Sequence, residues 1–177
     1  MKKVFLLLFV AFTTIFAYSE GEGFKKIKNF KFTTQDLKGN EVTESIFKKA
    51  DVTMVNIWAT WCGPCKHELP DIGRLAKKFK NKGVQIIAIC TDTMDDDGEI
   101  DEDAISEASE ILEDAGCDFT CLCLDESMER LFREMQAFPT TIFFDKNGNV
   151  IGPVLIGSRS EAKFAEAINS LIKSKSR

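Results

Sequence analysis

Apolar positions along the chain fall into runs and stripes with distinct periods. Val52 to Trp58 is a nearly continuous β-branched and aromatic run, the pattern of a strand covered on both faces. Val84 to Cys90 repeats it, and Phe119 to Leu124 reads as a third strand. Between the first two, Leu69, Ile72, Leu75, Ala76 and Phe79 recur at helical spacing, which predicts a helix over 62–82 stopped by Gly83. Ile105, Ala108, Leu112 and Ala115 mark a second helix ending at Gly116. Asp125 can cap a third, carrying Met128, Leu131, Phe132 and Met135. Toward the C-terminus, Thr140 to Phe144 and Val150 to Ile156 flank Asp145-Lys146-Asn147-Gly148, a hairpin turn. Ser158 and Glu161 have capping-box spacing ahead of a last helix striped by Phe164, Ile168, Leu171 and Ile172. Upstream, Phe30 to Thr34 and Glu41 to Thr43 predict a short hairpin across Leu37-Lys38-Gly39-Asn40. The sum is an α/β fold: a mixed sheet with helices on both faces, an N-terminal hairpin and a central αβ insert.

The first residues follow a different rule. Lys2 and Lys3 precede an apolar run from Val4 to Ala17, 14 residues long, then Tyr18 and Ser19. A basic start, an apolar middle and a small-residue end are the parts of a secretory signal, and the run is too short to span a bilayer. Residues 1–19 are therefore expected to be a signal peptide, with cleavage after Ser19 and a domain over 20–177. Losing Lys2 and Lys3 would take the net charge from −5 to −7. That acidity argues against nucleic acid as a partner, because such binding draws on Lys and Arg displacing counterions. Export would also place the six cysteines where disulfides persist.

Two of those cysteines carry the chemistry. Residues 58–70 read W-A-T-W-C-G-P-C-K-H-E-L-P, at the handover from strand to helix. Cys62 and Cys65, three apart, share a helix face and can come within disulfide distance. Cys62 is expected at the helix N-terminus, where unpaired N–H groups and the macrodipole favour thiolate over thiol, as the exposed nucleophile. Cys65, one turn deeper, is placed to resolve a mixed disulfide formed at Cys62. Gly63 and Pro64 shape the turn, Pro being tolerated in a first helical turn, and Lys66 adds positive charge.

The W-C-G-P-C segment, Pro70 inside the helix, and Phe138-Pro139-Thr140-Thr141 before a strand resemble the thioredoxin superfamily, in particular its exported TlpA/ResA-like thiol-disulfide oxidoreductase branch, from about Phe30 to the C-terminus. The resemblance implies a thioredoxin-like fold and a cis Pro139 facing the disulfide. The backbone of Phe138 would then be free to pair with an extended substrate segment, beside a lip of Trp61, Gly63 and Pro64. Asn56 stands where thioredoxins carry a buried Asp. Glu68, three residues after Cys65, looks like the acid the ResA-like branch uses instead, able to accept the Cys65 proton; a solvated first-turn glutamate is the alternative. His67 is expected at the surface, Trp58 in the core and Trp61 beside the sulfurs. The implied activity is reduction of disulfides in other exported proteins by a monomer recharged by a membrane thiol carrier. Neither a cofactor nor a metal is required, and cytochrome c maturation is one pathway of that kind. Alternatives are a thiol oxidase or isomerase, a cysteine-based copper-binding module, and a non-catalytic domain with every cysteine bridged.

Four cysteines remain. Cys121 and Cys123 alternate on one strand opposite Cys90, with Cys117 just before. Residues i and i+2 of a strand lie about 6.6 Å apart, which disfavours a Cys121–Cys123 bond. Buried free thiols, one bridge from Cys90, and a metal site all stay open. Residues 92–129 hold 16 Asp or Glu and no Lys or Arg. Their D-D-D-G-E-I portion echoes a calcium loop, but Thr93 and Ala104 fall where its first Asp and its bidentate Glu belong. A solvated acidic insert is the default expectation.

Overall fold

A computed structural model describes residues 21–95 and 97–175. The expected signal segment lies outside them. The elements run α1 (Glu22–Lys25), β1 (Thr33–Gln35), β2 (Glu41–Thr43), β3 (Val52–Trp58), α2 (Gly63–Phe79), β4 (Val84–Cys90), α3 (Glu102–Asp114), β5 (Cys121–Cys123), α4 (Glu129–Phe132), β6 (Thr140–Asp145), β7 (Val150–Ile156) and α5 (Glu161–Lys175). Two 3-10 turns, Glu44–Lys49 and Glu126–Met128, precede β3 and α4.

The main sheet has the order β5-β4-β3-β6-β7. β3, β4 and β5 are parallel, while β6 and β7 are antiparallel to their neighbours. β3, at the centre, is buried at all seven positions, which is why its sequence does not alternate. Its Met54 joins Ile72 and Leu75 of α2 and Phe164 and Ile168 of α5 in one apolar cluster. On the opposite face, Val55 and Ile57 meet Phe24, Ile27, Phe30, Phe32 and Phe47 from the N-terminal third, with Met128 and Leu131. The long helices thus cover one face, and short helices with extended segments cover the other. A third cluster joins Trp58, Ala59, Cys62, Cys65 and Leu69 to Ala88, Cys90, Ala108, Leu112 and Cys121.

Three expectations change. The first hairpin strand begins at Thr33, not Phe30, because the Phe30 N–H is taken by the Gly148 carbonyl at 2.9 Å. This hairpin forms its own two-stranded sheet against the outer edge of β5, where Leu37 N–H donates to the Cys121 carbonyl at 3.0 Å. The capping box does not form. Asp71 of α2 accepts the Glu161 N–H at 2.8 Å, the Glu161 carboxylate turns to Arg74, and the Ser158 hydroxyl faces Glu68 instead. Finally, the helix capped by Asp125 divides into a 3-10 turn and the four-residue α4.

Candidate active site

The carboxyl ends of β3 and β4 carry the two loops that build the site. After Trp58 the chain turns sharply, Cys62 N–H donating to the Ala59 carbonyl at 3.1 Å, and enters α2 with Cys62 as its N-cap. The next loop is zipped onto this one. Thr91 N–H donates to the Trp58 carbonyl, and the Asp92 carboxylate accepts the Thr60 N–H at 3.0 and 3.1 Å and the Thr60 hydroxyl at 2.6 Å. Two turns that neither strand fixes alone are thereby locked in mutual register.

Cys62 and Cys65 are joined as a disulfide with Cα atoms 5.2 Å apart. The Cys62 sulfur also accepts the Cys65 N–H at 3.2 Å. A donor that α2 leaves unpaired is therefore aimed at the sulfur, where a thiolate would gain most from it. Cys65 is fully buried. Cys62 is only 4% exposed, so it is not the open sulfur the sequence predicts. The reason is local: as N-cap, its side chain folds back over the first turn and packs with Trp58, Ala59 and Leu69. Gly63 and Pro64 beside it are exposed.

Phe138–Pro139 is a cis peptide bond. Among the described residues neither the Phe138 N–H nor its carbonyl makes a backbone hydrogen bond, whereas the Pro139 carbonyl accepts from Gly157 N–H at 2.7 Å. The Phe138 ring packs against the cluster holding both sulfurs and meets Trp61 edge-on, ring centroids 5.5 Å apart. Trp61 is 67% exposed, so most of its ring faces solvent instead of packing in the cluster that holds the sulfurs. Together they form an apolar lip beside an unpaired stretch of backbone. His67 is exposed and Trp58 is fully buried, as expected.

Glu68 is buried, with 2% of its surface exposed, and this rejects the solvated alternative. Its Oε1 accepts Asn56 Nδ2 at 2.8 Å and its Oε2 accepts the Arg159 N–H at 2.9 Å. Burial raises its pKa above the ordinary value, and these hydrogen bonds, with Ser158 and the Arg159 charge, offset only part of that. A carboxyl held this way, one turn along the helix from Cys65, can exchange a proton at milder pH than a free glutamate. Asn56, fully buried, also donates from Nδ2 to Thr141 Oγ1 at 3.0 Å.

The other four cysteines are free thiols. Cys90 pairs in register with Cys123, and Ala88 with Cys121, so strand alternation puts all three sulfurs on the α2 face. Cys90 donates to Asp92 Oδ1 at 3.1 Å, and Cys117 to the Leu69 carbonyl at 3.2 Å. Burial pushes the Cys117 thiol up to about 11, Cys121 up to about 12, and Cys90 and Cys123 upward as well. Gly73 admits Cys117, since a Cβ there would lie 3.3 Å from its sulfur and 3.0 Å from the Gly116 carbonyl. The acidic loop closes on itself, Asp95 Oδ1 accepting the N–H groups of Asp97 and Glu99.

Sequence reasoning brought Cys62, Cys65, Pro139, Phe138 and Glu68 to one place. It missed Thr60, Asp92, Thr141, Ser158 and Arg159, which hold them there through partners remote in sequence.

Comparison with known proteins agrees with this geometry. The thiol-disulfide oxidoreductase ResA of Bacillus subtilis (strain 168) is 29% identical over 143 residues, covering 80% of this chain and 72% of that protein. ResA of Bacillus thuringiensis subsp. konkukian (strain 97-27) is 42% identical over 71 residues, which span only 40% of this chain and 39% of that protein's length. Among solved structures, a thioredoxin-family thiol:disulfide interchange protein of Chlorobium tepidum TLS superposes with a TM-score of 0.67 at 21% identity, covering 82% of this chain and 95% of that one. A secreted disulfide oxidoreductase of Mycobacterium tuberculosis does so with a TM-score of 0.62 at 16% identity, covering 80% and 97%. These two establish the thioredoxin-like fold. With the AhpC/TSA family model matching residues 25–152, the chain belongs to that family.

Proposed function

We propose that this protein is an exported thiol-disulfide oxidoreductase that reduces disulfides in other extracytoplasmic proteins. One observation carries the reading: a cysteine pair begins a helix with a backbone N–H aimed at the first sulfur, in a lip that includes the residue before a cis proline. The relatives named as thiol-disulfide oxidoreductases support it.

In the reduced protein, the Cys62 thiolate attacks one sulfur of a substrate disulfide. The other substrate sulfur leaves as a thiolate, and a mixed disulfide remains on Cys62. An extended substrate segment aligns against the unpaired backbone of Phe138, with Trp61, Gly63 and Pro64 as its apolar rim. Cys65 then loses its proton to Glu68 and attacks Cys62 Sγ, releasing the second substrate thiol and closing the internal disulfide. Two electrons have passed to the substrate, and a dithiol donor, here a membrane thiol carrier, restores the pair. Residues 1–19 serve as the export signal. The chain works as a monomer with no cofactor.

Trapping tests this directly. With Cys65→Ala, a disulfide-bearing protein substrate should accumulate covalently on Cys62 and be released by dithiothreitol. No adduct, together with no reduction of protein disulfides by the reduced wild type, would refute the reading. Equilibration with glutathione fixes the direction: a couple well below the glutathione poise is a reductant, one well above it an oxidant.

A further inference from the structure

A carboxylate as buried as Glu68 needs compensation from outside its own helix. Much of it comes from residues 157–159, in the loop between β7 and α5. The Arg159 N–H donates to Glu68 Oε2 at 2.9 Å, and the Ser158 hydroxyl faces the same carboxylate. This loop also holds the docking edge, since Gly157 N–H donates to the Pro139 carbonyl at 2.7 Å. Its shape is fixed from above by the Arg159 side chain, whose Nη1 donates back to the Gly157 and Ser158 carbonyls at 3.3 and 3.0 Å. The guanidinium is thus folded over its own loop, and among the described residues no carboxylate lies within ion-pair distance of it. The next charges along α2 and α5 are committed to one another: Arg74 pairs with Asp71 and Glu161, and Lys78 reaches Glu161 as well.

We propose that Arg159 is the positioning residue for Glu68: its guanidinium, folded onto the carbonyls of Gly157 and Ser158, holds the loop so that its own N–H meets Oε2, and its charge, tied up in no ion pair, favours the ionised carboxyl. The inference deepens the reading above, on which it rests, in which Glu68 receives the Cys65 proton. Glu68 can take that proton only while it is ionised. Burial opposes ionisation, and the hydrogen bonds from Asn56, Ser158 and the Arg159 N–H favour it. A cation that bonds neither carboxylate oxygen adds to the second side without occupying a lone pair, so each oxygen, already accepting one N–H, keeps room for the arriving proton. The groups around Glu68 are Asn56 from β3 with Thr141 of β6 behind it, Ser158 and Arg159 from the loop, and Cys65 one turn back on its own helix. Of these, Arg159 alone is charged. Without that charge Glu68 becomes a stronger base that is ionised over a narrower range of pH, and this pair of opposed effects separates electrostatic positioning from loss of structure.

Two readouts on the wild type, Arg159→Gln and Arg159→Lys test this. Glutamine keeps a side-chain donor and loses the charge, and lysine keeps the charge. The Glu68 carboxyl carbon, assigned by its absence in Glu68→Gln, is followed against pH by NMR on the oxidised protein. Resolution of the mixed disulfide is followed over the same range by stopped-flow release of the second substrate thiol. In Arg159→Gln the Glu68 midpoint should move up, and the acidic limb of the resolution rate should move with it, slowing resolution about 10-fold on that limb while the alkaline plateau holds or rises. Arg159→Lys should bring both back toward the wild type. A Glu68 midpoint that stays in place in Arg159→Gln overturns the proposal, as does one that moves as far in Arg159→Lys as in Arg159→Gln. A lowered plateau with an unmoved midpoint assigns Arg159 a structural role only and overturns it too. The reading beneath it fails separately: a carboxyl that shifts as expected while the resolution rate ignores the shift leaves Arg159 as the residue that sets Glu68 and removes Glu68 as the proton acceptor.

Discussion

Six sulfurs lie in or near one region of the sheet, and they fall into two kinds. Cys90 and Cys121 line the same apolar cluster as Cys62 and Cys65 and are buried as fully, and half-buried Cys117 packs against it. What differs is the direction of the hydrogen bond. Cys90 and Cys117 donate, to a carboxylate and to a backbone carbonyl, and burial is what chiefly holds their protons on sulfur, aided at Cys90 by the Asp92 carboxylate. Cys62 accepts, from a backbone N–H at a helix N-terminus, and such a donor draws the proton off. Burial raises the other thiols, and Cys62, buried like Cys90 and Cys121, is set apart by the helix N-terminal N–H aimed at its sulfur.

The largest effect that could break this comparison is loss of exchange. Cys62→Ser should reduce protein-disulfide reduction to background, whereas Cys117→Ser and Cys121→Ser should keep most of it. Activity surviving in Cys62→Ser and vanishing in Cys121→Ser would invert the assignment. Next in size, Glu68→Gln removes the proton acceptor and should slow resolution of the mixed disulfide about 100-fold, read by stopped-flow release of the second substrate thiol. An unchanged rate would return Glu68 to a structural role.

The same substitution alters the pH dependence of stability. Because the folded carboxyl has a raised pKa, the native state binds more protons than the unfolded chain between 4.5 and that raised value. Wild-type stability should therefore fall as pH rises through this window, and the fall should flatten in Glu68→Gln. Denaturant melts at several pH values check the sign. A smaller effect comes from the loop clamp. Thr60→Val deletes the hydroxyl that donates to Asp92 and should cost about 1 kcal/mol, with the loss appearing in unfolding midpoints. Smallest is the alkylation of the free thiols. Cys117 should react at half its limiting rate only near pH 11, and Cys121 near pH 12. Rapid labelling of either at pH 8 would show that burial does not hold their protons.

Much of the frame is legible in the sequence because local signals and burial agree. β3 is apolar on both faces, α2 is striped and Pro64 marks its first turn, so strand, turn and cysteine pair follow from a short window. Where the reading slips, a remote partner has overruled a local preference. Phe30 and Phe32 alternate like strand residues, yet their rings serve the aromatic group with Phe47 and Phe144 while the Phe30 N–H goes to Gly148. Ser158 and Glu161 have capping spacing, but Asp71, 90 residues away from Glu161 in sequence, takes the cap. The site divides the same way. Glu68 is visible by its spacing from Cys65, but its burial depends on Asn56 from the central strand and on Arg159, 91 residues beyond it. The Asp92 clamp on Thr60 spans 32 residues and has no sequence motif.

The difference between the two kinds of sulfur is tested most directly by the ionisation of Cys62 in the reduced protein, followed as its iodoacetamide reaction rate against pH with Cys65 replaced by alanine. The account predicts a half-maximal rate well below the roughly 8.5 of a free cysteine, at a pH where Cys90, Cys117, Cys121 and Cys123 stay unlabelled. A profile tracking free cysteine, or one displaced upward like the buried thiols, would contradict it.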